Sequence, residues 1–473
     1  MRLRLPVLVS LGLLAAPIAV AAPSGEPLSP AAATLAAYLR VDTTNPPGNE
    51  RAGAELLAGV LRGAGIESQI LSSPRGRASL YARLPATTGA AASGPPGAIV
   101  LLHHIDTVPV GEGWRYPPFA GEIRDGELWG RGAIDAKGLG VAQLMAFLDL
   151  ARTHSPRRRA VIFLAVADEE AGGAEGTGWL LAAHPELFAD VALVLNEGGV
   201  NKAVAGRPLF WGIEVDQKRP LWLEVAASGR PGHASAANPE SATHRLIAGL
   251  ARVVALPRPW RVTPAANDFL AALARFDPQA RAAHSALRAL AARADGEAAA
   301  DRNGAFPLPG FESLLADTLQ VTTLAGAERI NVVAGEARAG IDVRLLPDTD
   351  ERAFVAGLEA LLGPGLDVRV LLTSPAAPPS SSASADYRTI AAALAGDTGA
   401  PVVPAFIPAF TDSRSFRARG IAAYGLSPFA LDGLALRGVH APDERIPLAV
   451  FERGVATMIR VVRALAATDP AAP

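Results

Sequence analysis

Ala98-Ile99-Val100-Leu101-Leu102-His103-His104-Ile105-Asp106 is the stretch that decides how this chain is read. Five apolar residues without polar alternation are the pattern of a strand buried on both faces, and the run ends abruptly on imidazoles and a carboxylate. Two further runs, 161–167 and 191–195, share the pattern. Ala165-Val166-Ala167 leads into Asp168-Glu169-Glu170, and Leu193-Val194-Leu195 leads into Asn196-Glu197. Helical spacing over about 141–152 and 178–187 alternates with them, which predicts an α/β layer. Ligands in open α/β sheets gather beyond the carboxyl ends of the strands, so the three polar clusters are expected to share one crevice. Their content of His and Glu suits a borderline metal ion, zinc first. Carboxylates placed directly after buried strands carry a desolvation cost, and a cation offsets it.

Working outward, helices are expected over 30–39 and about 51–62, with the turn Pro46-Pro47-Gly48 between them and strands near Gln69 and Leu80. The pattern changes near Lys218. The segment 221–227 alternates like a half-buried strand, and 321–323, 336–345 and 366–372 read as further strands. Between them, 265–300 is an alanine- and arginine-rich stretch with helical spacing. After the Pro- and Ser-rich linker 374–384 the chain returns to a helix (387–394), a strand (421–426) and a last helix from Pro447 to about Ala466. The simplest architecture is one α/β domain interrupted by an inserted α+β domain. The boundaries are a leader over 1–21, a first catalytic part over 22–217, the insertion over 218–372 with its helical stretch at about 265–300, and a second catalytic part over 373–473.

Composition narrows the chemistry. The 473 residues contain no cysteine, which removes disulfides, thiolate zinc sites and iron-sulfur clusters, leaving imidazole and carboxylate as metal ligands. With 44 basic and 46 acidic side chains there is no positive excess to meet nucleic-acid phosphates. Arg2 and Arg4, the apolar run 5–20 and Ala19-Val20-Ala21 before Pro23 follow the order of a signal peptide. Pro6 and Pro17 interrupt that run, which falls short of the ~20 residues of a membrane span. An exported protein, periplasmic or secreted and without stable membrane insertion, is expected.

Two further segments bear on the crevice. Gly130-Arg131-Gly132-Ala133-Ile134-Asp135-Ala136-Lys137-Gly138 places an aspartate in a glycine-flanked turn before a helix, where the dipole alone would favour an acid. His440-Ala441-Pro442-Asp443-Glu444-Arg445 supplies an imidazole ahead of the last helix.

Together these residues resemble a known family. His104-x-Asp106-Thr107-Val108-Pro109, the segment 114–119, Gly130-Arg131-Gly132 with Asp135 and Lys137, Glu169-Glu170, Glu197-Gly198-Gly199, Gly232-His233-Ala234-Ser235, Asn331, Arg344, Thr411-Asp412 and His440 occur in the order found in the di-zinc metallopeptidases. That family includes aminoacylase, carboxypeptidase G, carboxypeptidase S and succinyl-diaminopimelate desuccinylase. The likeness covers nearly the whole chain after the leader. It implies a zinc-exopeptidase-like catalytic domain with a central mixed sheet, interrupted by an α+β lid of the dimerisation type.

The resemblance also implies roles. Two Zn²⁺ per chain, with Co²⁺ or Mn²⁺ as alternative ions, would be held by His104 and Glu197 on one side and by Glu170 and His440 on the other, with Asp135 bridging and a cis peptide after it. Asp106 would orient His104. Glu169 would be the general base toward a metal-bound water. His233 on the lid would stabilise the oxyanion, from a partner subunit in dimeric relatives, and Asn331 with Arg344 would bind the substrate's free carboxylate. The expected activity is hydrolysis of the amide of an N-acyl amino acid or short peptide with a free C-terminal carboxylate. A di- or tripeptide aminopeptidase and a non-catalytic exported zinc-binding protein are the competing readings. The chain departs from the family pattern at His103, Asn196, Val333-Ala334 and Phe410, the last standing where glycine is usual; a salt bridge within its strand is the competing reading of Arg344.

Overall fold

A computed structural model describes residues 27–87, 97–153, 157–256, 258–291, 306–436 and 438–467. The expected leader 1–21, His154 and the end of the helical stretch, 292–300, lie outside the described residues.

The three apolar runs form the centre of a nine-stranded mixed sheet. Ala98–His104 lies between Val161–Val166 and Val191–Asn196, parallel to both. Ala78–Leu84 and Ser68–Ser72 extend one side antiparallel, and Ala422–Gly425, Arg207–Gln217 and Val402–Ile407 extend the other. The register pairs His104 with Val166 and Leu101 with Leu195, so the polar ends of all three strands emerge at one edge.

The uninterrupted apolar pattern follows from helices on both faces. Ile99, Leu101, Phe163, Leu193 and Leu195 face a core built with Pro30–Leu39, Glu50–Gly63, Lys137–Arg152, Ala385–Ala395 and Leu448–Ala467. Val100, Leu102, Ile162, Leu164 and Val194 face a second core closed by Leu180, Leu181, Phe188 and Phe416. Alternation along one strand thus feeds two apolar layers.

The inserted sheet is separate. Thr318–Ala325, Glu336–Leu345, Arg219–Ser228 and Leu366–Thr373 pair antiparallel in that order. Leu221, Leu223, Val225, Ile341 and Val343 pack under Ala242–Ala255 and Glu351–Leu362, while Trp222, Asp342 and Arg344 share the opposite face. The helical stretch at 265–300 was expected to enlarge this lid. It breaks at Pro278 into Pro264–Leu273 and Pro278–Ala291, and Ala266, Phe269 and Leu270 pack with Phe210, Val403, Ala405 and Phe406 of the main sheet. The segment caps the edge of the catalytic sheet, which would otherwise expose an apolar strand.

Candidate metal centre

The strand Ala98–His104 carries His104 to the sheet edge, where its Nε2 lies 3.1 Å from Asp135 Oδ1 and 3.6 Å from Glu197 Oε2. The other Asp135 oxygen, Oδ2, lies 3.0 Å from His440 Nε2, which is 3.5 Å from Glu170 Oε1. One carboxylate therefore stands between two imidazoles, each with its own glutamate. The triads His104, Asp135, Glu197 and Asp135, Glu170, His440 each have ligand atoms within 4.8 Å of one another. Glu169 Oε1 is buried with no hydrogen-bond partner among the described residues, and Glu170 Oε1 has only the long approach of His440. A buried carboxylate oxygen without a donor is costly unless a cation meets it, so this donor set fits divalent metal binding.

Each ligand has a visible support. Adjacent strand residues point to opposite faces, so Glu169 and Glu170 can share a site only beyond a strand end. The strand stops at Val166, Asp168 takes φ 70°, and Glu169–Ala171 form a single 3-10 turn closed by Gly172 at φ 104°. Main-chain N–H groups of Glu169 and Glu170 donate to the two oxygens of Asp106 at 3.2 and 3.1 Å, and Asn45 Nδ2 adds a third donor at 2.8 Å. Asp106 was expected to orient His104 through its carboxylate. That carboxylate is 3.8 Å from His104 Nδ1, which instead donates to the Asp106 main-chain carbonyl at 2.8 Å. The carbonyl leaves Nε2 as the free lone pair, and the side chain organises the turn that bears Glu169 and Glu170.

The loop of Asp135 rests on a residue that sequence reasoning did not assign. Glu444 is fully buried and accepts from Arg131 Nη1 (2.7 Å), Gly132 N (3.0 Å), Ile134 N (2.8 Å) and Asp135 N (3.2 Å). The peptide Asp135–Ala136 is cis. Lys137, buried at the start of the next helix, donates to the carbonyls of Tyr38 and Val41. His440 takes φ 59°, in a loop tied by Asp443 to the main chain of Arg115.

The electrostatics follow from crowding acids in a largely buried site that is open at His440. Burial, with Glu197 next, pushes the Glu169 carboxyl well above its usual range. Burial likewise raises Glu197 and Asp106 to about 7. Burial opposes charge on His104, yet Glu197 and Asp135 hold its pKa well above 6.5, and Asp135 and Glu170 lift His440 to about 10. Asp135, against its own burial, is held far below the carboxylate range by the two imidazoles. Protons occupy positions that a divalent cation competes for.

Three expected residues stand apart. His233 and Asn331 are exposed neighbours on the lid, Ala234 N donating to the Asn331 carbonyl and His233 Nδ1 engaging Ser235. No hydrogen bond or ion pair joins either to the ligand cluster among the described residues. Arg344 is paired within its strand, Nε and Nη2 donating to Asp342 at 2.6 and 2.8 Å. His103, next to the ligand histidine, points away into the core between Tyr38 and Phe163 and carries no ligand function in this geometry.

Comparison with known proteins bears on the family and the fold. Aminoacylase-1A of Rattus norvegicus is 28% identical over 444 residues, covering 92% of this chain and 95% of the relative. An N-fatty-acyl-amino acid synthase/hydrolase of Xenopus tropicalis is 26% identical over 377 residues, covering 77% and 72%. The crystal structure of an M20 family metallo-carboxypeptidase from Sulfolobus solfataricus matches the fold with a TM-score of 0.70 at 18% identity, over 92% of this chain and 99% of that one. The model of Peptidase family M20/M25/M40 matches residues 100–464. The chain belongs to this peptidase family and is a hydrolase of its metallopeptidase and aminoacylase type.

Proposed function

We propose that the chain is a metal-dependent amidohydrolase that releases an amino acid from an N-acyl amino acid or short peptide with a free C-terminal carboxylate. The observation that carries this reading is the Asp135 carboxylate shared between two imidazole-glutamate pairs, with the orphaned Glu169 Oε1 beside them. Two ions, which we assign as Zn²⁺, would be held by His104 and Glu197 and by Glu170 and His440 with Asp135 between, and when bound they polarise the scissile carbonyl and acidify water.

The remaining chemistry belongs to the chain. Glu169 accepts a proton from the attacking water and delivers it to the departing amine, a task that suits a carboxyl whose proton affinity burial has raised. Asp106 fixes the turn from which Glu169 acts. On the lid, Arg344 keeps Nη1 free of hydrogen bonds to described residues, and we assign it, with Asn331, to the substrate carboxylate. His233 donates to the oxyanion from a second copy of the lid, and export after cleavage at Ala21 places the enzyme outside the cytoplasm. Aminoacylase-1A and the N-fatty-acyl-amino acid hydrolase supply the precedent for acyl substrates.

A panel of N-acyl amino acids and Xaa-Xaa dipeptides tests the reading. Release of amino acid from the acylated members, abolished by chelation, is expected. Turnover that requires a free α-amine and is indifferent to amidation of the C-terminal carboxylate would overturn it in favour of an aminopeptidase.

A further inference from the structure

Phe410 lies between two guanidinium groups. The Cζ atoms of Arg344 and Arg414 each stand 4.5 Å from its ring centroid, and Trp222 meets the ring at 6.1 Å and 65°. Two like charges on one ring are not a default arrangement, so their anchoring is informative. Arg414 is the fixed end: it is buried, and Nη1 and Nη2 donate to the carbonyls of Thr411 and Gly172 at 2.9 and 2.6 Å. Gly172 closes the turn that bears Glu169. Arg344 is the end on the lid, a quarter exposed, with two nitrogens on Asp342 and the third without a protein partner among the described residues.

Asp342 grips the guanidinium in its plane but leaves the plane able to swing about that edge. A ring face supplies the missing constraint, because a planar cation lies favourably against a π surface. Asp342 and Trp222 are cross-strand partners, so the acid and the indole approach Phe410 from one face of the lid sheet. The stack runs from the turn of the proposed base, through Arg414 and Phe410, to Arg344.

We propose that Phe410 is a positioning residue for the carboxylate clamp: it sets the plane of Arg344 so that the unpaired Nη1 edge is held toward substrate. This rests on the reading of Arg344 as the clamp. Phe410 touches no reacting atom, and its effect is confined to substrates that present a carboxylate.

The test uses the zinc-loaded full enzyme with one N-acyl amino acid and its C-terminal carboxamide. Phe410→Leu, which keeps apolar bulk without a ring, is expected to raise KM for the acid about three- to ten-fold with kcat little changed, and to leave KM for the carboxamide as in the parent. Phe410→Tyr restores the parent KM for the acid. Equal effects of Phe410→Leu on both substrates, or none on either, overturn the inference if Arg344→Ala raises KM for the acid alone. If Arg344→Ala makes no distinction between the two substrates, the clamp reading fails and the inference falls with it. Should Phe410→Leu not fold, Phe410→Met serves the same comparison, with thermal melting as the check on folding.

Discussion

Replacing Glu444 by glutamine should loosen the metal centre without touching a ligand. The side chain keeps its volume, so no cavity forms, but one of two oxygens becomes an N–H donor. Oε2 accepts from Arg131 and Gly132, and Oε1 from Ile134 and Asp135, so either amide orientation turns two donors against a third. Arg131 is almost fully buried and Glu444 is its ion-pair partner, so the substitution also strands a charge. Breaking a buried pair of this kind costs roughly 3–5 kcal/mol. Burial raises the Glu444 pKa, so relief of its own desolvation offsets part of that, and about 3 kcal/mol is the expected loss. Urea unfolding with saturating zinc should show a lower midpoint at unchanged slope. Metal titration should show affinity reduced about 10- to 100-fold, because the Asp135 main chain is no longer held. A variant with parental midpoint and parental metal affinity would refute the role assigned to Glu444.

Three further outcomes follow. With chelator present, stability should fall as pH rises from about 5 to 10: Glu197, raised to about 7 by burial, and His440, raised to about 10 by Asp135 and Glu170, bind protons more tightly in the folded chain, and that advantage is lost as pH climbs through the folded values. Saturating zinc should flatten or reverse the slope in thermal melts, and a slope indifferent to metal would contradict the assigned ligands. Gly140→Ala would drive a Cβ to 2.2 Å from the buried His103 ring, so denaturant unfolding should report a loss of roughly 1–3 kcal/mol, and an unchanged midpoint would mean that helix and ring separate freely. Mass spectrometry of the protein recovered from its native cells and medium should give a chain beginning at Ala22, as the proposed leader requires, and a chain retaining Met1 would contradict that proposal.

How much of this was legible along the chain depended on sequence distance. The ends of the three parallel strands were readable because unbroken apolar runs followed by acids are locally anomalous, and His104, Glu170 and Glu197 meet Asp135 and His440 in space. The part of Asp106 was only half visible: His-x-Asp invites a side-chain pair, whereas the carbonyl serves the imidazole and the carboxylate serves a turn 63 residues away. Glu444 was hidden because its partners lie 309 to 313 residues earlier, although an acid four residues after His440 in a loop beside apolar Ile446 was the available signal. The placement of the helices Pro264–Leu273 and Pro278–Ala291 was likewise beyond periodicity, which reports an apolar face but not what it meets; Val402–Ile407, their partner, was too short and proline-interrupted to stand out as a strand.

The most direct test of the central claim is Glu169→Gln, assayed for zinc content and for kcat on an N-acyl amino acid. Glu169 is assigned as the proton carrier and not as a ligand, so the variant should retain two zinc ions per chain while kcat falls about 10²- to 10⁴-fold. Parental turnover with the metals in place would contradict the account.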